Sequence, residues 1–190
     1  MRYVLALHGS PRKNGNSELL LDYLISELEG QLKVKKIRIY ELNFSPCLEC
    51  GVCEETGHCK FKDDFTALEA DILLADYIIL AVPVFFYSHP SKVQAFFERF
   101  QVFWVRKELL KLQRKPDKRP KGILIGVGAT KGKRLFEASI RSFKYVLKTI
   151  DGEYFKGLFF RGVDKKGEVL KYPFYFEEVK AVAQLLKSST

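Results

Sequence analysis

The chain has 190 residues, 47% of them hydrophobic and 29% charged, with a formal net charge of +9 at pH 7. This length favours one domain over residues 1–190, with a core that needs no disulfide bonds. Much of the positive charge lies in residues 105–122, interpreted as a solvated helix end and linker or as a docking site for an acidic electron-transfer partner. No nucleic-acid-binding module is present in the sequence, so we expect no nucleic-acid partner.

The apolar runs are too short for a membrane protein. None approaches the roughly 18 residues that span a bilayer. Residues 1–10 have one basic residue and no small-residue cleavage site, which is typical of a first strand rather than a signal peptide. We therefore expect no membrane association and a cytoplasmic location, where thiols stay reduced and clustered cysteines indicate metal or redox chemistry.

Five strands are predicted, and they alternate with helices along the chain. Residues 3–9 and 77–84 are apolar runs typical of buried parallel strands, and Pro83 is expected to end the second of them. In residues 33–42 apolar and basic side chains alternate, which is typical of a strand at a sheet edge. The remaining predicted strands cover residues 121–129 and 153–163.

The helices are predicted from apolar spacing and capping signals. The first covers residues 17–30 with Ser17 as its expected N-cap, and the second begins at Asp63 or Asp64. The other predicted helices cover residues 89–110, 133–150 and 174–188. The third of the five helices has an aromatic face that we expect to fill the core and also to form a homodimer interface. That face consists of Phe96, Phe97, Phe100, Phe103 and Trp104.

This alternation predicts an α/β fold with helices on both faces of a parallel sheet. Five strands suit the flavodoxin-like, doubly wound order 2-1-3-4-5, with a cysteine-containing loop after the second strand. In such sheets a ligand binds beyond the carboxyl ends of the strands, where the winding reverses. The expected site is therefore formed by residues 9–17, 83–88 and 126–132.

The loop that follows the first strand has the chemistry of a phosphate site. A helix N-terminus presents unpaired N–H groups and the positive end of its dipole. Ser10, Asn16 and Ser17 add neutral donors, and Arg12 adds charge. The loop is neither a Walker A motif nor GxGxxG, so a nucleoside triphosphate or a Rossmann dinucleotide is disfavoured.

All cysteines of the chain lie within thirteen residues, in the spacing C-x2-C-x2-C-x5-C. They are Cys47, Cys50, Cys53 and Cys59. Runs of C-x2-C-x2-C wrap iron–sulfur clusters because their thiolates reach neighbouring irons from one tight loop, and Gly51 and Gly57 allow such a loop to curl. A cluster, a zinc ion, and free thiols or disulfides all remain open at this point.

Three segments together resemble the NADPH-dependent FMN reductase superfamily. "GSPRKNGNS" is similar to its flavin phosphate loop, and "PVFFYSHPSKVQAFFERF" to its second flavin loop. "CLECGVCEETGHCKFKDDF" resembles the cysteine segment of the iron–sulfur flavoprotein branch. The three motifs lie between residues 8 and 100 in the expected order.

The resemblance implies a set of cofactor contacts. Residues 10, 12, 16 and 17 would hold the FMN phosphate, and the loop 126–132 would close the far side of the flavin. The isoalloxazine would be lined by Pro83, Val84, Phe85, Phe86 and Ser88, with Gly126 and Gly128 in the closing loop. The four cysteines would hold a four-iron four-sulfur cluster.

The resemblance also implies a redox activity. The chain would be an FMN-dependent oxidoreductase that transfers electrons through flavin and cluster, with NAD(P)H or a ferredoxin-like protein as donor, in a homodimer or homotetramer. The alternatives are an NAD(P)H-dependent FMN or quinone reductase without a cluster, and a flavodoxin-like binding protein without catalysis.

Overall fold

The computed structural model describes residues 1–112 and 119–188. Its strands form one five-stranded parallel sheet in the order β2-β1-β3-β4-β5, so the predicted strand order is confirmed. The most apolar strand, β3, is central and the basic strand β2 is at an edge, as the sequence predicts. The strands are β1 (Tyr3–His8), β2 (Lys33–Arg38), β3 (Tyr77–Pro83), β4 (Lys121–Gly128) and β5 (Glu153–Arg161).

Helices cover both faces of the sheet. The α-helices are α1 (Asn16–Leu28), α2 (Val52–Thr56), α3 (Asp64–Ala67), α4 (Glu69–Leu74), α5 (Ser91–Glu98), α6 (Gln101–Trp104), α7 (Glu137–Thr149) and α8 (Pro173–Ser188). A π-helical turn, Val105–Leu109, follows α6. One 3₁₀ turn, Ile39–Glu41, follows β2, and another, Glu168–Lys171, precedes α8. No helix in the described ranges has the length and apolar character that crossing a membrane requires.

The core has one layer on each side of the sheet. Leucines of α1 and valines of α8 pack on one face of the sheet. The phenylalanines of α3, α5 and α6 pack on the other face, together with side chains of α7. Phe96, Phe97, Phe100 and Phe103 are buried within the single chain, whereas Trp104 is 39% exposed. The predicted aromatic face is therefore mainly core, and of its five members Trp104 is the one that reaches the surface.

Several predicted element boundaries were wrong. Helix α1 begins at Asn16 with Gly15 at the N-cap, rather than after a Ser17 cap, because Leu19 N donates to Gly15 O at 3.0 Å. The cysteine segment is not wholly irregular, since it contains α2 between two left-handed glycines, Gly51 and Gly57.

Two predicted helices are interrupted. The second one divides into α3 and α4 at Leu68, although its predicted cap Asp63 is confirmed by a capping box with Thr66. The third one is interrupted at Arg99, where hydrogen bonds to the residue three positions earlier, such as Phe100 N to Phe97 O at 2.9 Å, replace the α-helical pattern. Of the basic segment 105–122, residues 113–118 lie outside the described residues, and the described Lys107 pairs with Asp151 at 2.7 Å.

Candidate functional site

The loop between β1 and α1 turns tightly around its own polar groups. Gly9 N donates to Ala81 O of β3 at 2.9 Å, and Ser10 Oγ accepts from Arg12 N at 3.1 Å. A Cβ on Gly9 would lie 2.5 Å from Val93 Cγ2, so glycine is needed for the close approach of α5. The first amides of α1 have no partner inside the helix and face the same loop.

Glu18 holds this loop from beneath. Its carboxylate is 3% exposed, and Oε2 accepts from Asn14 N at 2.6 Å. Asn14 has a φ of 54°, in the left-handed region that asparagine tolerates better than most residues. Oε1 accepts from Lys36 Nζ at 2.9 Å and from Arg38 Nη1, both on β2. Two cations of the edge strand therefore fix a buried carboxylate that in turn fixes the loop.

His8 belongs to the core beside this cluster. Burial, reinforced by the charges of Arg38 and Lys36, lowers the pKa of His8 from 6.5 to about 3, so its ring is neutral near pH 7. The 3.8 Å separation between its Nδ1 and Glu18 Oε1 is therefore a contact and not an ion pair. His8 is fully buried and is a packed core residue.

A segment after β5 forms a wall of the site that the sequence analysis missed. Asn16 Nδ2 donates to Lys165 O at 2.9 Å, and Asn16 Oδ1 accepts from Val169 N at 3.2 Å. Arg12 Nη1 reaches Asp164 O at 3.4 Å. The side chain of Asn16 thus ties the first loop to the last one. Gly162 and Gly167, both at positive φ, bracket this segment and were the available sequence signal.

The loops meet in one pocket at the carboxyl edge of the sheet, as the doubly wound fold predicts. Its empty space is about 520 Å³, including the part that is open to solvent. Among the predicted site residues, those that line it are Ser10, Arg12, Asn16, Ser17, Pro83, Val84 and Phe85. Its other lining residues are Gly15, Val127, Ala129, Val163, Asp164 and Lys166.

Four predicted site residues, Phe86, Ser88, Gly126 and Gly128, lie outside that lining. Phe86 and Tyr87 form the tip of a tight turn closed by two hydrogen bonds between Phe85 and Ser88, at 3.0 and 2.9 Å. Both tip residues have positive φ, and Phe86 is fully exposed beside the pocket. Gly126 and Gly128 face inward, where Cβ atoms would lie 2.7 Å from Phe136 and 2.5 Å from Leu135. Here the glycines make room for core side chains.

The four cysteines surround a second pocket. It has an empty space of about 470 Å³ and is lined by all four cysteines together with Phe61, Arg99, Gln101 and Val102. Burial, together with the nearby sulfurs of the other three cysteines, raises the pKa of the Cys53 thiol. All four are free thiols. The left-handed Glu49 and Gly51 curl the chain around this pocket, which confirms the expected curl at Gly51.

The donor set of the second pocket, four cysteine thiols, is of the kind that iron–sulfur clusters use. Across residues 1–112 and 119–188, no group of three or more His, Cys, Asp or Glu side chains is arranged to hold one metal ion. A cluster binds each thiolate to a different iron, so its ligands enclose a space instead of converging on one point. Four thiols around a pocket match that requirement.

Other groups steady the cysteine segment. Arg106 Nε donates to Gly57 O, and Arg106 Nη2 pairs with Glu69 Oε2 of α4 at 2.7 Å. His58 is exposed and lies 3.4 Å from Arg106 Nη2, outside the cysteine pocket. The π-helical turn after α6 therefore anchors the end of the segment at which Cys59 lies.

A doubly wound parallel sheet with a loop pocket at the reversal of its winding defines a flavodoxin-like protein. Residues 2–151 match the model of the family described as NADPH-dependent FMN reductase. The chain belongs to this family.

Similar proteins agree with this assignment. An iron–sulfur flavoprotein of Archaeoglobus fulgidus is 33% identical over 97 residues, which are 50% of this chain and 44% of the relative. One of Methanocaldococcus jannaschii is 30% identical over 50% of each chain. The chain thus matches about half the length of these relatives. The structure of an FMN-dependent NADH-azoreductase from Bacillus anthracis in complex with FMN superposes with a TM-score of 0.70 at 14% identity, covering 98% of this chain and 100% of the other.

Proposed function

We propose that the pocket at the carboxyl edge of the sheet binds FMN. Its phosphate would lie at the first turn of α1, where the helix amides, the hydroxyls of Ser10 and Ser17, and the Arg12 guanidinium supply donors and positive charge. The flavin ring would lie against Pro83, Val84 and Phe85 at the end of β3. When bound, FMN supplies the two-electron and one-electron chemistry, and the protein supplies orientation.

The other predicted contacts take supporting roles in this proposal. Asn16 locks the loop after β5 over the phosphate, because both of its polar atoms bind that loop. Ser88 closes the turn that presents Phe86 as a cover for the ring. Gly126 and Gly128 admit Phe136 and Leu135, which sets the position of the β4 end.

The phosphate assignment is tested by the affinity of the flavin-free protein for FMN. Arg12→Gln removes a charged donor from the pocket, and we expect the Kd to rise about tenfold, or ~1.4 kcal/mol. Lys13→Gln is the matched control, since Lys13 is exposed in the same loop but pairs with Glu41 at 3.0 Å, away from the pocket lining. Equal effects of the two substitutions would contradict the assignment.

We further propose that the four cysteines bind a four-iron four-sulfur cluster and that electrons pass through cluster and flavin. The observation that carries this proposal is the pocket that all four cysteines line. The similarity to the two archaeal iron–sulfur flavoproteins supports it. A cluster exchanges single electrons, so it would let a flavin that accepts electron pairs serve a one-electron partner.

Substitution of individual ligands tests the cluster proposal. In anaerobically reconstituted protein, Cys53→Ser should remove most of the iron and the visible absorbance of the cluster while leaving bound FMN unchanged. His58→Ala is the control, since His58 lies in the same segment but outside the pocket. Iron content that survives in Cys53→Ser and falls in His58→Ala would overturn the ligand assignment.

The second candidate function is an NAD(P)H-dependent FMN or quinone reductase in which the cysteines hold no cluster. It is favoured by the four cysteines, which are all free thiols in the structure. Anaerobic stopped-flow mixing separates the two candidates. Rapid bleaching of the flavin by NADPH in iron-free protein supports the second, whereas reduction that requires a ferredoxin-like protein and an intact cluster supports the first.

The proposed partners follow from the same chemistry. We propose a homodimer or homotetramer in the cytoplasm, where four free thiols stay reduced, and an acidic ferredoxin-like donor attracted by the +9 charge.

The exposed Trp104 and Tyr145, 39% and 65% accessible, lie in one groove that suits a second copy of the chain. Analytical ultracentrifugation of wild type and Trp104→Glu tests this interface, and an unchanged oligomer in the variant would exclude it.

A further inference from the structure

Arg99 is a buried cation beside the cysteine pocket. It follows α5, is 2% exposed, and its guanidinium carbon lies 5.1 Å and 4.8 Å from the ring centroids of Phe61 and Phe65. A charged group in such surroundings is costly unless it is paired and hydrogen-bonded. The hydrogen-bond partners of Arg99 therefore indicate why a charged side chain is buried at this position.

The guanidinium bridges a carboxylate and a cysteine sulfur. Nη1 and Nη2 bind the two oxygens of Asp63 at 2.6 and 3.2 Å, and Nη1 also donates to Ser45 O at 2.9 Å. The second donor of Nη2 reaches Cys59 Sγ at 3.3 Å. Arg99 also lines the pocket that the four cysteines surround. The side chain therefore joins the α3 cap to one of the four sulfurs.

Stability alone gives little reason for this arrangement. Replacing a buried ion pair by apolar side chains of similar volume is often neutral or stabilising. Asp63 already has a local role as the cap of α3, which Thr66 completes. Stability therefore does not explain why the permanently charged Arg99 guanidinium donates a hydrogen bond to the sulfur of Cys59.

We infer that Arg99 tunes the redox potential of the cysteine-bound cluster by stabilising its reduced form. This inference rests on the proposed four-iron cluster. Reduction adds one electron from an external one-electron donor and one negative charge, with no bond made or broken. A hydrogen bond to a ligating sulfur and a nearby buried cation both favour the more negative state. Arg99 thus raises the potential.

Asp63 acts in the opposite direction. Its carboxylate binds the same guanidinium through Nη1 and through Nη2, the nitrogen that also donates to Cys59 Sγ. Its negative charge partly cancels the positive charge that the cluster experiences. Removing the arginine charge should make the cluster harder to reduce, and removing the aspartate charge should make it easier. A purely structural role gives no such opposition, because either substitution breaks the same ion pair.

The test is an anaerobic dye-mediated redox titration of the full-length reconstituted protein, followed by electron paramagnetic resonance. For Arg99→Gln we expect about a tenfold shift of the equilibrium toward the oxidised cluster, which is ~59 mV to more negative potential for one electron. For Asp63→Asn we expect a shift to more positive potential, and asparagine still caps α3. Arg99→Lys keeps the charge and should shift the potential less than Arg99→Gln.

Two further variants complete the experiment. Arg99→Gln combined with Asp63→Asn removes both buried charges, so it avoids an unpaired ion that prevents folding, and its potential should lie between those of the single variants. Arg106→Gln removes a cation that binds the same segment without lining the pocket, and it should leave the potential close to that of wild type.

The outcomes separate this inference from the cluster proposal. Shifts of the same sign in Arg99→Gln and Asp63→Asn, or no shift in either, would overturn the tuning role while the cluster itself stands. A wild-type protein that takes up no iron and sulfide on reconstitution would overturn the cluster proposal and the tuning role with it.

Discussion

The carboxylate of Glu18 connects the edge strand β2 to the loop between β1 and α1, and Glu18→Gln tests that connection. The substitution keeps the shape of the side chain and removes its charge. It weakens the hydrogen bond from Asn14 N and the two ion pairs to Lys36 and Arg38. The new amide nitrogen is itself a donor, so one of the three donors around it loses its acceptor.

The expected loss of stability depends on the burial of the carboxylate and on the other ion pairs that Lys36 and Arg38 retain. Breaking a buried ion pair costs about 3–5 kcal/mol when it leaves an uncompensated charge. Here Lys36 retains Asp22 at 2.6 Å, and Arg38 retains Glu41 at 3.0 Å. Neither cation is left unpaired, so the cost is closer to that of losing one charge-assisted hydrogen bond and placing the glutamine amide next to another donor. We expect the free energy of unfolding to fall by about 2–3 kcal/mol.

The substitution should also weaken FMN binding, because Asn14 is held at positive φ by the bond that is lost. Urea unfolding of the flavin-free protein and FMN titration measure the two effects, and we expect about a tenfold increase in Kd, or ~1.4 kcal/mol. Glu29→Gln is the control, since Glu29 is exposed near the end of the same helix. A Glu18→Gln protein within about 0.5 kcal/mol of wild type, with unchanged Kd, would refute the reasoning.

Three further predictions concern burial, close packing and the last loop. Burial lowers the pKa of His8 to about 3 and that of His89 to about 4, so below pH 6.5 the unfolded chain binds protons that the folded chain does not. Stability should therefore fall as the pH drops from 6.5 to 5, by up to about 1.4 kcal/mol per unit for each histidine. Gly9→Ala should cost about 1–3 kcal/mol because its Cβ meets Val93. Asn16→Ala should weaken FMN binding and speed proteolysis after β5, since both of its bonds hold that loop.

A contradicting result or a comparison variant checks each of these predictions. Unfolding free energies that stay flat between pH 6.5 and 5 would contradict the histidine prediction, and His89→Phe should reduce the slope. Gly30→Ala is a poor control for Gly9→Ala because Gly30 has a φ of 76°. Gly15→Ala serves better, since the nearest atom to its Cβ would be 3.3 Å away. Asn16→Asp keeps one acceptor for Val169 N and should lie between Asn16→Ala and wild type.

The sheet and its site edge could be predicted because their signals are local. Continuous apolar runs identify β1, β3 and β4, and helical spacing identifies α1, α7 and α8. Strand–helix alternation then leaves few topologies, and the order 2-1-3-4-5 is confirmed. The position of the pocket follows, since in this topology the carboxyl ends of β1 and β3 meet where the winding reverses.

The interruption of the predicted third helix and the loop after β5 that lines the site depend on contacts between residues distant in sequence. The break at Arg99 accompanies a guanidinium turned toward Asp63, 36 positions away. The role of Asn16 depends on Lys165, 149 positions away. A charged residue within the apolar segment "FFERF" was the signal for Arg99, and paired glycines were the signal for the loop after β5. Neither signal indicates which distant residue is the contact partner.

Composition of the natively purified protein tests the central claim most directly. After anaerobic purification, FMN, iron, acid-labile sulfide and zinc are quantified per chain. We predict one FMN with about four irons and four sulfides per chain and no stoichiometric zinc. FMN without iron, or zinc in the cysteine pocket, would contradict the iron–sulfur assignment and leave an NAD(P)H-dependent flavin reductase as the function of the fold.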